Sequence, residues 1–310
     1  MFNIETYLDS LPEDTEEIDV SDKGIKKLDV TRFKNLKNLY CPNNQLTSLH
    51  LNKNLQRLDC DNNLLTSLHL NENLQRLYCS HNQLTSLHLN ENLQILDCRD
   101  NLLTSLHLNE YPEMLYCSNN QLTSLHLNEN LQILDCRDNL LTSLHLNEYP
   151  EMLYCSNNQL TSLQLNENLQ LLHCDNNHLT SLHLNENLQI LDCRDNILTS
   201  LHLNEKLEFL DCDNNHLTSL QLNERLRTIV YNDNPIFEII NSDVIEIIKQ
   251  KMQVLTNFQY LYYCLKFKKH FRDLLWVKIR EPKIRIKYSH DYLVEHLHED
   301  TDLDELLNNW

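Results

Sequence analysis

Apolar residues alternate with polar ones in short segments along most of the chain, and the pattern returns every 19 residues. In residues 55–70, Leu58 and Cys60 form one alternating pair, and Leu68 and Leu70 form a second. Alternation of this kind is typical of an extended segment with one side buried. Nineteen residues hold two such segments and two turns but no useful helix, so the pattern predicts a mostly β chain of short coils.

The repeated unit is L-x-x-L-x-C-x-x-N-x-L-T-S-L-x-L-N-x-N. Divergent copies flank the regular ones: an early copy contains Ile18, and a late copy has Tyr231 at the cysteine position. One coil cannot bury its own apolar side, so we predict a solenoid of 12 stacked coils over residues 18–236. Ten regular copies carry the cysteine: Cys41, Cys60, Cys79, Cys98, Cys117, Cys136, Cys155, Cys174, Cys193 and Cys212.

The unit resembles that of the leucine-rich repeat family, whose strand signature matches L-x-x-L-x-C-x-x-N-x-L. The second half, L-x-x-L-x-L-x-x-N, nearly repeats the first, which is similar to the short nested class of this family. The resemblance implies a solenoid that binds proteins on its concave face. It also implies a buried asparagine ladder three residues after each cysteine, from Asn44 to Asn234.

The chain ends predict two further regions. Residues 1–17 are too short for a domain and are expected to form an N-terminal cap, followed by the solenoid over 18–240. The 19-residue period stops near Ser242, and residues 241–310 are expected to form a helical C-terminal region. Its first helix carries apolar residues at helical spacing, and others are expected at 265–279, 289–297 and 302–307.

Composition excludes several functions. Gly24 is the only glycine of the 310 residues, so neither a dinucleotide-binding fingerprint nor a phosphate-binding P-loop can be formed. The formal net charge of −19 argues against nucleic-acid binding, and no apolar run is long enough to span a membrane. The acidic opening sequence lacks the features of a signal peptide. We therefore expect an intracellular protein that is not secreted and has no catalytic residues, cofactor or metal.

The cysteine column allows three interpretations: a disulfide series, a soft-metal site, or a packed core. Val20 and Tyr231 occupy the same column, and no C-x-x-C motif occurs. A core role is preferred, because a buried cysteine packs as a small apolar residue. Free thiols in this number suit a reducing compartment.

A histidine column lies between inward leucines and is expected to point outward. Stacked imidazoles could chelate a metal or respond to pH. Because Gln164 and Gln221 interrupt the column, a plain polar ladder is the preferred interpretation. The column contains eight histidines: His50, His69, His88, His107, His126, His145, His183 and His202.

The outward positions of the cysteine-side strands are the candidate partner-binding site. Tyrosine, arginine and exposed apolar residues in register favour a protein interface. The structural alternative is that apolar residues stabilise strand stacking, while Asp97 and Arg99 neutralise each other. The candidate contacts on the expected concave face are Tyr40, Tyr78, Tyr116, Tyr154, Asp97, Asp135, Asp192, Arg99, Arg137, Arg194, Met114, Met152 and Phe209.

Residues 98–135 and 136–173 are a tandem copy, differing at three of 38 positions. A surface built by copying suits repeated contacts better than a single tailored pocket.

The closing sequence, with the opening segment and the repeats, resembles uncharacterised leucine-rich repeat proteins of giant amoeba-infecting DNA viruses. That resemblance implies host cytoplasm or the virion as the setting, and a host or viral protein as the partner. Alternative functions are an adaptor or effector acting on a host ubiquitin ligase, or a structural virion component. A catalytic ligase is disfavoured because Leu265 and Lys266 follow Cys264, where such effectors carry C-x-D.

Overall fold

A computed structural model describes residues 2–108, 112–146, 148, 150–242, 244–258 and 281–283. The chain divides into two compact units, Met1–Met252 and Gln253–Trp310. In the second unit, the described residues 253–258 and 281–283 are helical. Within the described ranges, no helix has the length and apolar content that crossing a bilayer would require.

The first unit is built around a 12-stranded parallel sheet whose neighbouring strands belong to successive coils. Glu17 pairs with Asn38, and Asn38 with Arg57, so the first step contains the two extra residues seen in the sequence. The sheet confirms the predicted 12 coils. Its strands are β1 (Glu17–Asp19), β3 (Asn38–Tyr40), β5 (Arg57–Asp59), β6 (Arg76–Tyr78), β7 (Ile95–Asp97), β8 (Met114–Tyr116), β9 (Ile133–Asp135), β10 (Met152–Tyr154), β11 (Leu171–His173), β12 (Ile190–Asp192), β13 (Phe209–Asp211) and β14 (Thr228–Val230).

The second extended segment of each coil is less regular. Only β2 (Lys27–Asp29) and β4 (Ser48–His50) form a two-stranded sheet there, within the part of the chain that the structure describes. Later coils are joined by isolated parallel bridges. Side-chain amides connect the coils nearby: Asn71 Nδ2 donates to the Asn52 carbonyl at 2.8 Å.

The core consists of leucine and cysteine columns between the two sides of the coils. The ten repeat cysteines are free and buried, and Leu58, Cys60 and Leu65 have no exposed surface. Each fully buried leucine contributes about 1.5–3 kcal/mol relative to an exposed one. Because every coil adds the same set, the core lengthens with each repeat.

The predicted asparagine ladder is present and buried, from Asn44 to Asn234. The Asn139 side chain shows the pattern: Oδ1 accepts from the Leu122 backbone N–H at 2.9 Å. Its Nδ2 donates to the carbonyls of Cys117, Cys136 and Arg137 at 3.0–3.1 Å. One amide therefore joins the backbones of neighbouring coils where strand pairing has ended.

In each coil, the residue two positions after the cysteine position forms a turn and has a left-handed backbone conformation, with positive φ. These residues have φ between 48° and 57°, and they are asparagine or aspartate except for His81. Asparagine, aspartate and histidine tolerate this region better than other non-glycine residues. A solenoid with twelve such turns consequently needs no glycine at them.

Helices occur at both ends of the first unit. Helix α1 (Ile4–Asp9) buries Leu8, and the Asn3 side chain caps it by accepting from the Thr6 N–H at 3.2 Å. The cap role of residues 1–17 stays a prediction.

The second half of the last coil is helical, which the repeat pattern did not predict. Helix α2 (Pro235–Ile240) begins with proline, whose fixed φ suits the first helical position, and buries Ile236 and Ile240. Residues 245–258 are helical where a helix was expected, with Ile248 and Met252 buried. The expected helices at 265–279, 289–297 and 302–307 lie outside the described residues.

Candidate functional site

The candidate site lies on the side of the 12-stranded sheet that faces away from the core. This side carries the residues predicted to lie on the concave face, and it is here called the outer face. In β8, Leu115 is fully buried, whereas Met114 and Tyr116 on either side of it are partly exposed. Parallel pairing places Tyr116 beside Asp97 and Asp135 of the adjacent strands. Since the register repeats from strand to strand, each sequence column becomes a continuous row across the sheet.

The three candidate aspartates of this face are buried, which the alternation of inward and outward residues did not predict. Asp97, Asp135 and Asp192 are only 5%, 3% and 6% exposed. Arg99 lies over Asp97 and donates two hydrogen bonds to it, from Nε to Oδ1 at 2.9 Å and from Nη2 to Oδ2 at 2.6 Å.

The Asp–Arg pairing recurs in two later coils. Arg137 binds Asp135 in the same two-bond geometry, at 2.9 and 2.7 Å. Arg194 Nη2 lies 3.1 Å from Asp192 Oδ2. The charge neutralisation between aspartate and arginine that the sequence analysis considered is therefore present, and the aspartates lie beneath the guanidinium groups.

Tyrosine rings flank several of the arginines. The Arg57 guanidinium lies 5.3 Å from the Tyr40 ring centre and 5.1 Å from that of Tyr78. Arg99 lies 5.6 Å from Tyr116, and Arg137 lies 5.5 Å from Tyr154. Cation–π contacts at these distances orient the guanidinium plane.

An apolar row runs beside the tyrosine and arginine rows. Its members pair in register, as Met114 does with Ile95 and Ile133. Met152 is 38% exposed, and the other members are partly exposed. The row consists of Ile95, Met114, Ile133, Met152, Leu171, Ile190 and Phe209.

From β6 to β10, coils with tyrosine and serine at the outward positions alternate with coils that have aspartate and arginine there. The next coil breaks this alternation with His173 and Asp175, two residues that the sequence analysis did not choose as candidates. Ligand atoms of His173, Asp175 and Asp192 lie within 4.8 Å of one another. Burial and the Asp175 charge raise the pKa of Asp192 to about 6, and burial lowers the pKa of His173. Asp175 also accepts a hydrogen bond from Ser156. The sequence does contain a feature that could have identified this cluster: His173 departs from the tandem copy, whose corresponding residue is Asp135.

Burial raises the pKa of all ten repeat thiols above the ordinary cysteine value, as it does for Cys98 and Cys136. Because the thiolate is the reactive form, we expect the native chain to resist iodoacetamide at these positions and to react fully in denaturant. Peptide mass mapping before and after unfolding measures this. Rapid labelling of the column in the native chain would contradict the core assignment.

No protein-family model and no curated protein matches this chain. Similar solved structures do occur.

The functional domain of InlJ from Listeria monocytogenes, described as including a cysteine ladder, is 31% identical with a TM-score of 0.67. The match covers 70% of this chain and 53% of that one, so this chain spans about half its length. YopM from Yersinia enterocolitica WA-314 is 26% identical with a TM-score of 0.62, over 71% of this chain and 60% of that one.

The leucine-rich repeat domain of APL1B is 23% identical with a TM-score of 0.61, over 74% of this chain and 86% of that one. This likeness concerns the fold alone. Because these matches cover at least 70% of this chain and its coils stack through one parallel sheet, the fold of this chain is a leucine-rich repeat solenoid.

Proposed function

We propose that this chain is a non-enzymatic protein-interaction scaffold that binds its partner on the outer face of the sheet, between β3 and β13. The observation that carries the proposal is the recurrence of tyrosines and arginines on this face from β3 to β10, beside an apolar row. Tyrosine and arginine are enriched among the residues that dominate binding energy at protein interfaces. Exposed apolar residues in a contiguous patch also favour a protein partner.

The geometry supports binding in a second way, because the arginines are held before a partner arrives. Arg99 is fixed by two bonds to Asp97 and by the Tyr116 ring. Ordering a free arginine side chain on binding costs about 0.5–1.5 kcal/mol, and a preorganised one avoids much of that cost.

Burial divides the candidate residues into two roles. The partner contacts in this proposal are the tyrosines, arginines and apolar residues. Asp97, Asp135 and Asp192 instead orient the arginines from below, since little of their surface is accessible.

The tandem copy gives the outer face repeated contacts. Tyr116, Arg99 and Met114 recur as Tyr154, Arg137 and Met152, two strands further along the sheet. Two strand spacings place the two sets about 10 Å apart. Such spacing suits a partner that crosses several strands and makes similar contacts more than once.

We further propose that the partner is a host or viral protein inside an infected cell. The support is the resemblance of the opening, the repeats and the closing segment to giant-virus proteins. Affinity capture from infected amoebae with the full chain tests this setting. Capture of a ubiquitin-ligase subunit through residues 242–310 would favour the adaptor alternative, and abundance in purified particles would favour a virion component.

Replacing Tyr78, Tyr116 and Tyr154 together with alanine is expected to weaken partner binding at least tenfold, since interface aromatics carry much of the binding energy. The melting temperature should change little, because all three rings are partly exposed. Binding to the captured partner is measured by biolayer interferometry and stability by thermal denaturation.

The matched control replaces Gln83, Gln121 and Gln159 with alanine. These exposed residues belong to the same three coils but lie outside the strands. Binding should be retained. If the tyrosine variant unfolds while binding per folded molecule is unchanged, the tyrosines are structural and the outer face is not the binding surface.

A further inference from the structure

The histidine column forms an exposed row on the second extended segments of the coils, outside the 12-stranded sheet. All eight imidazoles are exposed, from His50 to His202. Gln164 separates an uninterrupted run of six from the pair formed by His183 and His202, and Gln221 follows that pair. This row, here called the histidine ladder, has no part in the outer-face proposal.

Backbone pairing places members of the histidine ladder side by side. His107 pairs in parallel with His126, and His183 with His202, through isolated β-bridges. Paired positions on adjacent strands are about 4.8 Å apart, and their side chains project to the same side. The stacking of coils therefore brings together imidazoles that are 19 residues apart in the sequence.

This spacing suits metal chelation by two imidazoles. A metal ion with nitrogen ligands at about 2.0–2.1 Å in tetrahedral geometry needs its ligand atoms about 3.3 Å apart. Side-chain rotation can bring neighbouring exposed imidazoles from the strand spacing to that separation. Imidazole is a preferred ligand of zinc, copper and nickel, and the net charge of −19 attracts cations to the chain.

We propose that the histidine ladder binds divalent transition-metal ions, with one ion held by two neighbouring imidazoles and completed by water. The two glutamines that favoured a plain polar ladder do not oppose this, because the site is a pair and not the whole column. The six-histidine run supplies three separate pairs, and His183 with His202 supplies one more. The histidine ladder is therefore expected to hold about four ions per chain at saturation.

Isothermal titration calorimetry of the untagged full chain with nickel chloride at neutral pH tests this proposal by measuring the number of nickel ions bound per chain. A Cys264→Ser background removes the thiol outside the repeats. The pair formed by His183 and His202 gives the clearest result. The His183→Gln variant should bind one nickel ion fewer per chain, since His202 then has no second imidazole with which to chelate the ion. His126→Gln should remove another, because it leaves His145 without a neighbour in the six-histidine run.

The matched control is His178→Gln with His216→Gln. Both histidines are exposed, and they lie two coils apart at a different repeat position, so nickel stoichiometry should be unchanged. Circular dichroism verifies folding, and Gln164 in the tandem copy shows that glutamine fits where His126 lies.

Two results would overturn the proposal. One is wild-type stoichiometry in both His183→Gln and His126→Gln. The other is an equal loss in the His178 and His216 control, which would show nonspecific binding by any exposed imidazole.

Discussion

Replacing Asn139 with leucine is expected to lower the free energy of unfolding by about 3–5 kcal/mol, although leucine matches the core in polarity. The Leu122 backbone N–H would lose its partner, and three carbonyls would each lose one donor. A buried unpaired N–H costs about 1–3 kcal/mol, and each lost hydrogen bond about 0.5–1.5 kcal/mol. Urea denaturation monitored by circular dichroism measures the change.

The neighbouring coil offers a matched control in Gln121→Leu. Gln121 is exposed, and the next coil already has leucine at that position, where Leu140 is 44% exposed. A surface change of this kind should alter stability by no more than about 0.5 kcal/mol. A loss below 1 kcal/mol for Asn139→Leu would show that the asparagine ladder is not a main determinant of coil stacking.

Deleting residues 98–135 is expected to leave a cooperatively folded solenoid about 10 Å shorter. The deletion joins Asp97 to Cys136, which recreates the existing Asp135–Cys136 junction. Strand β7 would then pair with β10 in the register that β9 uses now, Ile95 taking the place of Ile133 beside Met152. Because each coil contacts only its neighbours, no new type of interface arises and stability should fall modestly.

A deletion of residues 98–125 is the control, because it is not a multiple of the 19-residue period. It would shift every downstream leucine away from its column, and we expect it to fail to fold. Circular dichroism and size-exclusion chromatography compare the two chains. Aggregation of the 98–135 deletion would contradict the nearest-neighbour account of stability.

Partner binding by the shortened chain also locates the interface. Loss of binding with the fold retained would point to the duplicated part of the outer face. Retained binding would point to the remaining coils or to the C-terminal region.

The sequence alone predicted the coils and their core because both depend on periodic burial. The 19-residue spacing of Leu58, Cys60 and their counterparts requires one coil per period and places the same side chains inside each coil. The asparagine ladder followed from the resemblance to the family and from the capacity of an amide to donate and accept. The departure at the end of the repeats was local: α2 begins at Pro235 and buries Ile236 and Ile240.

Sequence patterns could predict which rows face outward but not how far each side chain is covered. Asp97 and Asp135 occupy outward positions and are nevertheless buried, because Arg99 and Arg137 lie over them and tyrosines of adjacent coils flank the arginines.

What the sequence by itself determined is the number of coils, the core and the rows, because these depend on spacing within one chain segment. What only the tertiary structure decided is which side chains meet across coils. The tyrosines beside Arg57 and the imidazoles of His183 and His202 are distant in sequence and become neighbours only through stacking. Contacts between coils depend on strand register and on side-chain rotamers, and period alone specifies neither.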